Sequence, residues 1–218
     1  MIHIFYTRFN TQIPSEVWNS FYKHLPLEII ERAKKYRKWE DHHAFLLGRL
    51  LLIEAFGKIG LEKKTISDIR YNKFGRPFLD DSIDFNISHS GKFVVCAIGK
   101  GIKLGIDIET IVDVDFSDFK DVMTFEQWKV ILESDNPKKT FFKMWTIKES
   151  VIKAEAKGMS IPLLNITIKK NEAGYDNQIW HLKEFNLDEG ICLCLASNII
   201  ATDLQFYEID YYSQLKDE

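Results

Sequence analysis

The sequence is poor in cysteine, and its cysteines lack the number and spacing of a zinc site or a disulfide framework. Three occur among 218 residues, inside the apolar runs FVVCAIG and ICLCLAS, and they form no C-x-x-C pair. Structural zinc sites and small disulfide-stabilised domains need several cysteines at short, regular spacings. We therefore predict three buried, reduced thiols and a protein of the reducing cytoplasm.

Long hydrophobic runs and an excess of one charge are also missing. No apolar stretch reaches the roughly 20 residues that cross a membrane, and the N-terminal MIHIFYTRF lacks the pattern of a signal peptide. The formal net charge is −3, from 29 basic and 32 acidic residues. Because nucleic-acid-binding domains are usually strongly basic, we expect neither a nucleic acid nor a membrane among the partners.

Several loops that are typical of common enzymes do not occur. The sequence contains no Walker-type G-x-x-x-x-G-K-[ST] and no G-x-G-x-x-G, which argues against a nucleoside-triphosphate cradle. A G-x-S-x-G nucleophile elbow is absent too, which argues against a serine hydrolase.

What remains is an ordinary globular composition, 45% hydrophobic and 28% charged, with periodic segments in a repeated order. Predicted helices cover residues 15–24, 27–56 with a break near 39–41, 124–133 and 137–158. Predicted strands cover residues 2–6, 68–71, 84–87, 93–98, 104–109, 164–170, 178–186, 191–196 and 204–210. Since each half places helices before antiparallel strands, the order indicates an α+β fold.

The stretch LGIDIET, residues 104–110, predicts a strand with one apolar face and one face that carries Asp107 and Glu109. Alternating acids usually mean a solvated face. Gly105 beside them, however, is typical of a bulge or of a close approach by a ligand. Two neighbouring carboxylates repel each other unless a cation lies between them, and hard oxygen ligands favour Mg²⁺.

A third carboxylate lies on the helix predicted from FFKMWTIKESVIKAEAKG, residues 141–158. Glu149 and Lys153 form an i, i+4 pair, which on a solvated helix would contribute only roughly 0.2–0.5 kcal/mol. If Glu149 instead joins Asp107 and Glu109 in space, the three acids need a metal ion among them.

The stretch DFNISHSGKF, residues 84–93, is rich in hydrogen-bond donors and turn formers between two strands. Its Ser-His-Ser-Gly sequence predicts a turn that is suited to holding an anion. A plain hairpin turn with an exposed histidine is the alternative. A serine–histidine nucleophile pair is disfavoured because adjacent residues rarely point at one another.

Together, FNISHSGKFVVCAIG, LGIDIE and FFKMWTIKESVIKAEAKGMSIPL resemble the 4′-phosphopantetheinyl transferase superfamily, of the long, single-chain Sfp type. The family signatures G-[IV]-D-[IV]-E and [FW]-x-x-K-E-[AS]-x-x-K are matched by residues 105–109 and 145–153. FGRPFL, residues 74–79, and EDHHAFLLGRLLL, residues 40–52, are similar to further segments of that family. The resemblance extends over about residues 27–163.

The resemblance implies an α+β pseudo-dimer of two similar α/β halves, with the active site in the cleft between them. Residues 1–103 would contribute coenzyme A binding, and residues 104–218 would carry the metal and catalytic residues. The implied reaction moves phosphopantetheine from coenzyme A to a serine of an apo acyl, peptidyl or aryl carrier protein and releases adenosine 3′,5′-bisphosphate. Fatty-acid, polyketide and nonribosomal-peptide carriers all remain open, and a pseudo-dimer predicts a monomer.

The resemblance also implies roles for individual residues. The implied ligands of Mg²⁺, with Mn²⁺ as the alternative metal, are Asp107, Glu109 and Glu149. The implied catalytic residues are Glu149 as general base, Lys153 at the phosphate and His89. The implied coenzyme A ligands are Arg32, Arg76, Asn86, Ser88, His89 and Lys153. Ile29 takes a position that is basic in some relatives. Phe116, Phe119 and Phe125 are candidates for carrier docking, with burial in the core as the alternative.

Two other functions remain open at this point. The first is a Mg²⁺-dependent nuclease, to which DIE and KES are superficially similar; the acidic balance of charge argues against it. The second is a family member that binds coenzyme A or a carrier without catalysis. Plasmid nicking would favour the nuclease, and coenzyme A binding without transfer would favour the binding protein.

Overall fold

The computed structural model describes residues 1–80 and 82–212. Its helices are α1 (Ser15–Tyr22), α2 (Leu27–Ala33), α3 (Trp39–Lys58), α4 (Phe125–Leu132) and α5 (Pro137–Glu155). Its strands are β1 (Ile2–Arg8), β2 (Arg70–Tyr71), β3 (Pro77–Phe78), β4 (Ile83–Ser90), β5 (Phe93–Lys100), β6 (Leu104–Thr110), β7 (Thr167–Lys169), β8 (Glu172–Tyr175), β9 (Gln178–Phe185), β10 (Ile191–Ser197) and β11 (Leu204–Glu208). The predicted α+β class is confirmed.

The strands form a four-stranded sheet, ordered β11-β1-β5-β4, and a five-stranded sheet, ordered β6-β10-β9-β8-β7. Strands β2 and β3 pair separately. Each large sheet packs against one long helix, α3 on the first sheet and α5 on the second. Two sheet-containing halves are therefore present, as predicted. Strand β11 comes late in the chain but pairs in parallel with β1. The predicted boundary between the two halves, at residues 103 and 104, stays a prediction.

The helix ends follow local signals. Thr124 and Gln127 form the predicted capping box before α4, and the side chain of Asn136 caps α5 by accepting from the amide of Lys139. Helix α5 ends at Glu155, where Ala156 adopts a left-handed backbone with φ of 60°. The predicted end at residue 158 was therefore three residues late.

Other predicted boundaries differ from the structure. The break in the long helical segment lies at residues 34–38, before α3, rather than at 39–41. The segment predicted as a strand at 68–71 begins with a 3-10 turn, Ile66–Asp68, and only two residues of it pair. Strand β8 has only four residues, one of them glycine, and the apolar pattern did not predict it.

The two sheets pack on each other through their apolar faces. Ile4 and Val95 from the first sheet lie in one buried cluster with Ile106 and Leu193 from the second sheet. This shared core brings the edge strands β4 and β6 side by side, which positions the polar residues described below.

The three cysteines are buried and unpaired, as predicted. Burial raises the pKa of all three thiols, to about 11 for Cys192 and to about 12 for Cys194. Among the helices of the described residues, none combines the length and the apolar character needed to cross a membrane.

Candidate active site

Strands β4 and β6 are joined by side chains instead of by backbone pairing. Every second side chain of β4 accepts a hydrogen bond from the backbone amide of every second residue of β6. The donor–acceptor pairs are Leu104 to Asp84 (2.9 Å), Ile106 to Asn86 (2.9 Å), Ile108 to Ser88 (3.4 Å) and Thr110 to Ser90 (2.9 Å). Because an edge strand otherwise leaves these amides unpaired, this ladder satisfies β6 and sets its register against β4.

The structure overturns the predicted turn over Ser-His-Ser-Gly, residues 88–91, for its first three residues, whereas anion binding by this sequence stays a prediction. Strand β4 continues through Ser90. Asn86 and Ser88 lie inside it, each 6% exposed. The polar residues extend the strand because they find partners along β6. The glycine lies in the turn as predicted, and Gly91 has a positive φ of 54°.

Asp107 lies at the centre of the site and is 3% exposed. Its Oδ1 accepts hydrogen bonds from Ser88 Oγ at 2.8 Å and from Lys153 Nζ at 2.6 Å. Its Oδ2 is buried and has no hydrogen-bond partner within the part of the chain that the structure describes. A buried carboxylate oxygen without a partner is costly, so this atom is the natural place for a cation to bind.

Glu109 follows on the same face of β6. Its carboxylate accepts from Ser90 Oγ at 2.9 Å and from the Trp145 indole Nε1 at 3.2 Å. Burial, followed by the nearby negative charge of Asp107, raises the pKa of Glu109. The folded protein therefore disfavours this negative charge, although Lys153 and the hydrogen bonds from Ser90 and Trp145 partly offset the effect.

Glu149 projects from α5 toward the same place. Burial raises the pKa of Glu149, and the charges of Asp107 and Glu109 raise it further, while Lys153 lowers it. The structure thus brings the three predicted acids close enough to repel one another. No group of three His, Cys, Asp or Glu side chains within residues 1–80 and 82–212 is arranged to hold a metal ion. The hard oxygen donors and the partnerless Asp107 Oδ2 nevertheless fit Mg²⁺ chemically.

Gly105 allows the backbone of α5 to approach β6 closely. It marks neither a bulge nor the close approach of a ligand, which were the two predictions from the sequence. A Cβ atom at this position would lie less than 3.0 Å from the carbonyl oxygen of Ser150 and from the amide nitrogen of Ala154. The helix backbone therefore rests directly on the glycine. Since Glu149 and Lys153 lie on this helix, the close approach brings both side chains to the acids of β6.

Lys148, between these residues, is a buried cation that the sequence analysis did not single out. It is fully buried, and its ammonium donates to the carbonyls of Val122 and Leu163 at 2.8 Å each. Burial lowers its pKa to about 8. Lys148 thus ties α5 to the segments on either side of it. The sequence signal for its burial is its place among the apolar residues of the predicted helix.

A cationic cavity of about 360 Å³ lies beside α3. Arg32 and Arg49 both line it, and their guanidinium carbons lie 5.1 Å and 3.7 Å from the centre of the Phe45 ring. Burial is the main reason that the pKa of Arg49 falls to about 10, and the charge of Arg32 contributes. Within the described residues, neither arginine has an acid within ion-pair distance, although the exposed Glu28 also lines the cavity. Two neighbouring guanidinium groups without an acidic partner favour the binding of an anion.

Arg32 was predicted from the sequence as a coenzyme A ligand, whereas Arg49 was not. Arg49 lies in the apolar run FLLGRLLL of α3, where a single arginine was read as part of the helix. A lone cation among buried residues is the signal that would have identified it.

Arg76 is already engaged by the protein. Its guanidinium makes an ion pair with Asp84 at 2.7 Å and donates to the carbonyls of Lys153 at 2.8 Å and Leu104 at 2.9 Å. It therefore fastens β4 to the start of β6 and to the last turn of α5. A contact between Arg76 and coenzyme A stays a prediction.

His89 alternates with the serines of β4, so it points to the side of α3 rather than toward β6. The side chain keeps exposed surface. Surrounding protein atoms lower the pKa of His89, and the charges of Lys153 and Arg49 lower it further. Because its pKa is lowered, the imidazole of His89 is neutral at pH 7. Strand β4 thus separates the acids on one side from His89 and the cationic cavity on the other.

Of the three candidate docking residues, one is exposed. Phe125 is 80% exposed at the start of α4. Phe116 and Phe119 pack against Phe141, with ring centres 5.3 Å and 5.1 Å apart. These two phenylalanines therefore contribute to packing, the alternative that the sequence left open.

Comparison with known proteins gives concordant matches. The family model described as "4'-phosphopantetheinyl transferase superfamily" matches residues 103–196, and the model "4'-phosphopantetheinyl transferase, N-terminal" matches residues 12–100. The chain is 35% identical over 176 residues to 4'-phosphopantetheinyl transferase gsp of Aneurinibacillus migulanus, a match that covers 79% of this chain and 73% of that protein. It is 31% identical over 182 residues to 4'-phosphopantetheinyl transferase Sfp of Bacillus subtilis (strain 168), a match that covers 76% of this chain and 80% of that protein.

Proposed function

This chain belongs to the 4′-phosphopantetheinyl transferase superfamily and is of the Sfp type, so it is a transferase of phosphopantetheine; we propose that coenzyme A is the donor and a serine of an apo carrier protein the acceptor, with Mg²⁺ bound. Adenosine 3′,5′-bisphosphate is the second product. The observation that carries the proposal is the cluster of Asp107, Glu109 and Glu149 beside Lys153, with one buried carboxylate oxygen left without a partner.

Asp107, Glu109 and Glu149 would hold the metal. When bound, Mg²⁺ would offset negative charge at the phosphorus under attack and on the leaving phosphate. Burial and then the charge of Asp107 raise the pKa values of Glu109 and Glu149, so part of each shift reflects repulsion between the acids. Divalent charge would relieve that repulsion, so metal binding and site assembly favour each other.

Glu149 and Lys153 supply the proton and charge chemistry. The raised pKa of Glu149 makes its carboxylate a better acceptor for the proton of the attacking serine. Lys153 Nζ now bonds to Ser88 and Asp107, and a pyrophosphate oxygen of coenzyme A offers it a further acceptor. A compact ammonium suits the neutralisation of a phosphate.

The cationic cavity is the proposed place for a phosphate of coenzyme A. Arg32 and Arg49 supply two guanidinium groups, and His89 lies on the same side of β4. Ile29, which also lines the cavity, cannot supply the cation found at that position in some relatives. Arg49 reaches the cavity from a different helix and would replace the missing charge.

Coenzyme A binding provides the test of Arg49. Arg49→Leu is expected to weaken the affinity for coenzyme A by about 10- to 100-fold, because a charge-assisted hydrogen bond contributes roughly 1.5–3 kcal/mol. Calorimetric titrations with coenzyme A and with 3′-dephospho-coenzyme A measure the effect. If Arg49 binds the 3′-phosphate, the wild type discriminates between the two ligands and the variant does not.

Arg8→Leu is the matched control, because Arg8 is exposed on β1 and pairs only loosely with Glu208 at 3.9 Å. Arg49→Lys keeps the charge and tests whether the fork of the guanidinium matters. An Arg49→Leu variant that is folded and binds coenzyme A like the wild type would remove Arg49 from the donor site.

The exposed face of α4 is the proposed docking surface for the carrier. It is formed by Phe125 and Leu132, which are 80% and 61% exposed, with Lys129 on the same side of the helix. The carrier domains that enzymes of this family modify are acidic helical bundles. An apolar surface that also carries a cation is complementary to such a bundle.

Phe125→Ser is expected to raise the KM for the carrier by roughly tenfold, with little change in kcat and in the affinity for coenzyme A. Loss of a central aromatic anchor costs about 1–2 kcal/mol of binding. Ile200→Ser removes a residue of similar exposure, 68%, from another surface. Equal KM values for the two variants would rule out docking through Phe125.

The reaction itself is tested by intact-protein mass spectrometry of apo acyl, peptidyl and aryl carrier domains. Each carrier is incubated with the protein, coenzyme A and Mg²⁺, and a chelator control is run in parallel. A mass gain of one phosphopantetheinyl group that the chelator abolishes supports the proposal. A gain that survives the chelator rejects the metal. Coenzyme A binding without any gain across the panel rejects the proposed acceptor.

A further inference from the structure

Two serines of β4 face the two acids of β6 and repeat the same pattern of contacts. Ser88 Oγ accepts from the amide of Ile108 and donates to Asp107 at 2.8 Å. Ser90 Oγ accepts from the amide of Thr110 and donates to Glu109 at 2.9 Å. Each hydroxyl thus links the carboxylate of one β6 residue to the backbone amide of the next.

The hydrogen-bonding capacity of a hydroxyl explains why these contacts are directional. A serine hydroxyl has one proton to donate and two lone pairs with which to accept. Ser88 accepts from Ile108 and from Lys153 Nζ at 2.8 Å, so its only proton is directed to Asp107. Its capacity is therefore fully used. An alanine there would remove three hydrogen bonds at once.

The contacts also select which carboxylate oxygen stays available. Ser88 binds Oδ1 of Asp107 and leaves Oδ2, the buried oxygen without a partner. Ser90 binds Oε2 of Glu109, while Oε1 receives only the long 3.2 Å bond from Trp145. Each serine thus fixes one oxygen of an acid and limits the rotation of the whole carboxylate.

We propose that Ser88 and Ser90 are positioning residues that hold Asp107 and Glu109 in the orientation needed to bind a divalent cation. This inference rests on the proposed function, because it concerns the ligands of the same metal. It gives the serines a role toward the acids that is separate from any contact with coenzyme A. Hydrogen bonds of this kind to metal ligands typically change metal affinity by about 10- to 100-fold.

Binding of Mn²⁺, measured by electron paramagnetic resonance on the full chain with saturating coenzyme A, tests the proposal without relying on turnover. Ser88→Ala and Ser90→Ala are each expected to weaken Mn²⁺ binding by about tenfold or more. Ser90→Thr keeps the hydroxyl and is expected to restore most of the affinity. Ser20→Ala removes one hydrogen bond, which the exposed Ser20 hydroxyl of α1 donates to the carbonyl of Val17, and is expected to bind Mn²⁺ like the wild type.

The outcomes separate the inference from the proposed function. If the wild type binds Mn²⁺ and modifies a carrier while both serine-to-alanine variants bind Mn²⁺ equally well, the positioning role is overturned and the function stands. If the wild type binds no Mn²⁺ with coenzyme A present, both are overturned. Thermal unfolding of each variant shows whether it is folded. If Ser88→Ala is unfolded, Mn²⁺ binding by Ser90→Ala tests the positioning role, because Ser90 is only half-buried.

Discussion

Glu149→Gln is expected to reduce phosphopantetheine transfer by about 10²- to 10⁴-fold, the usual contribution of a general base, without destabilising the protein. Glutamine has the same shape as glutamate but cannot accept the serine proton. Among the described residues, no donor or cation is bonded to the Glu149 carboxylate, whereas Asp107 and Glu109 repel it. Its removal therefore breaks no hydrogen bond and relieves repulsion.

The pKa of Glu149 gives the sign of the stability change. A carboxyl whose pKa is higher in the folded than in the unfolded state destabilises the fold at any pH where it is ionised. The destabilisation disappears as the pH falls below the unfolded pKa. At pH 7, in the absence of metal, the Tm of Glu149→Gln should thus equal or exceed that of the wild type. The difference should shrink as the pH is lowered toward 4.

Single-turnover transfer assays and thermal unfolding measure the two effects. Glu54→Gln is the control, because Glu54 is an exposed glutamate on the other long helix, α3. Near-normal transfer by Glu149→Gln would reject Glu149 as the base. A clear drop in its Tm would mean instead that the carboxylate has a stabilising partner.

Features encoded within one segment were predictable from the sequence. The alternation of apolar and acidic residues in LGIDIET predicts β6 because its period is that of a strand. The caps of α4 and α5 follow from side chains within four residues of the helix start. The acids of the site lie on these elements, so Asp107, Glu109 and Glu149 were identifiable as candidates before their spatial relation was known.

Features that depend on two distant segments were not predictable in the same way. The side chains of Ser88 and Ser90 are typical of turns, and they belong to a strand because β6 supplies amides about 20 residues later. The pattern around Gly105 predicts a bulge or a ligand contact because the helix residues that cover it lie more than 40 residues away in the chain. The cavity that Arg49 lines depends on α2 as well, since Arg32 of that helix lines it too, and this meeting of two helices is not visible in the sequence.

Gly105→Ala is expected to destabilise the fold by about 3 kcal/mol or more, the upper end of the range for overpacking. The added methyl would meet the carbonyl of Ser150 and the amide of Ala154. Both are backbone atoms, so no change of rotamer can relieve the clash. Helix α5 would have to move away from β6, and it would carry Glu149 and Lys153 with it. Transfer should therefore fall even in the fraction of molecules that stay folded.

Urea denaturation of Gly105→Ala and Gly57→Ala separates this clash from the general effect of replacing glycine. Gly57 lies near the end of α3, and no atom of the described residues lies within 4 Å of a Cβ placed there. Alanine at that position should stabilise the helix by roughly 0.5–1 kcal/mol. The two substitutions thus have opposite expected signs. A Gly105→Ala protein as stable as the wild type would show that α5 does not rest on this glycine, and the glycine of the G-I-D-I-E signature would then need another explanation, such as direct approach of the substrate.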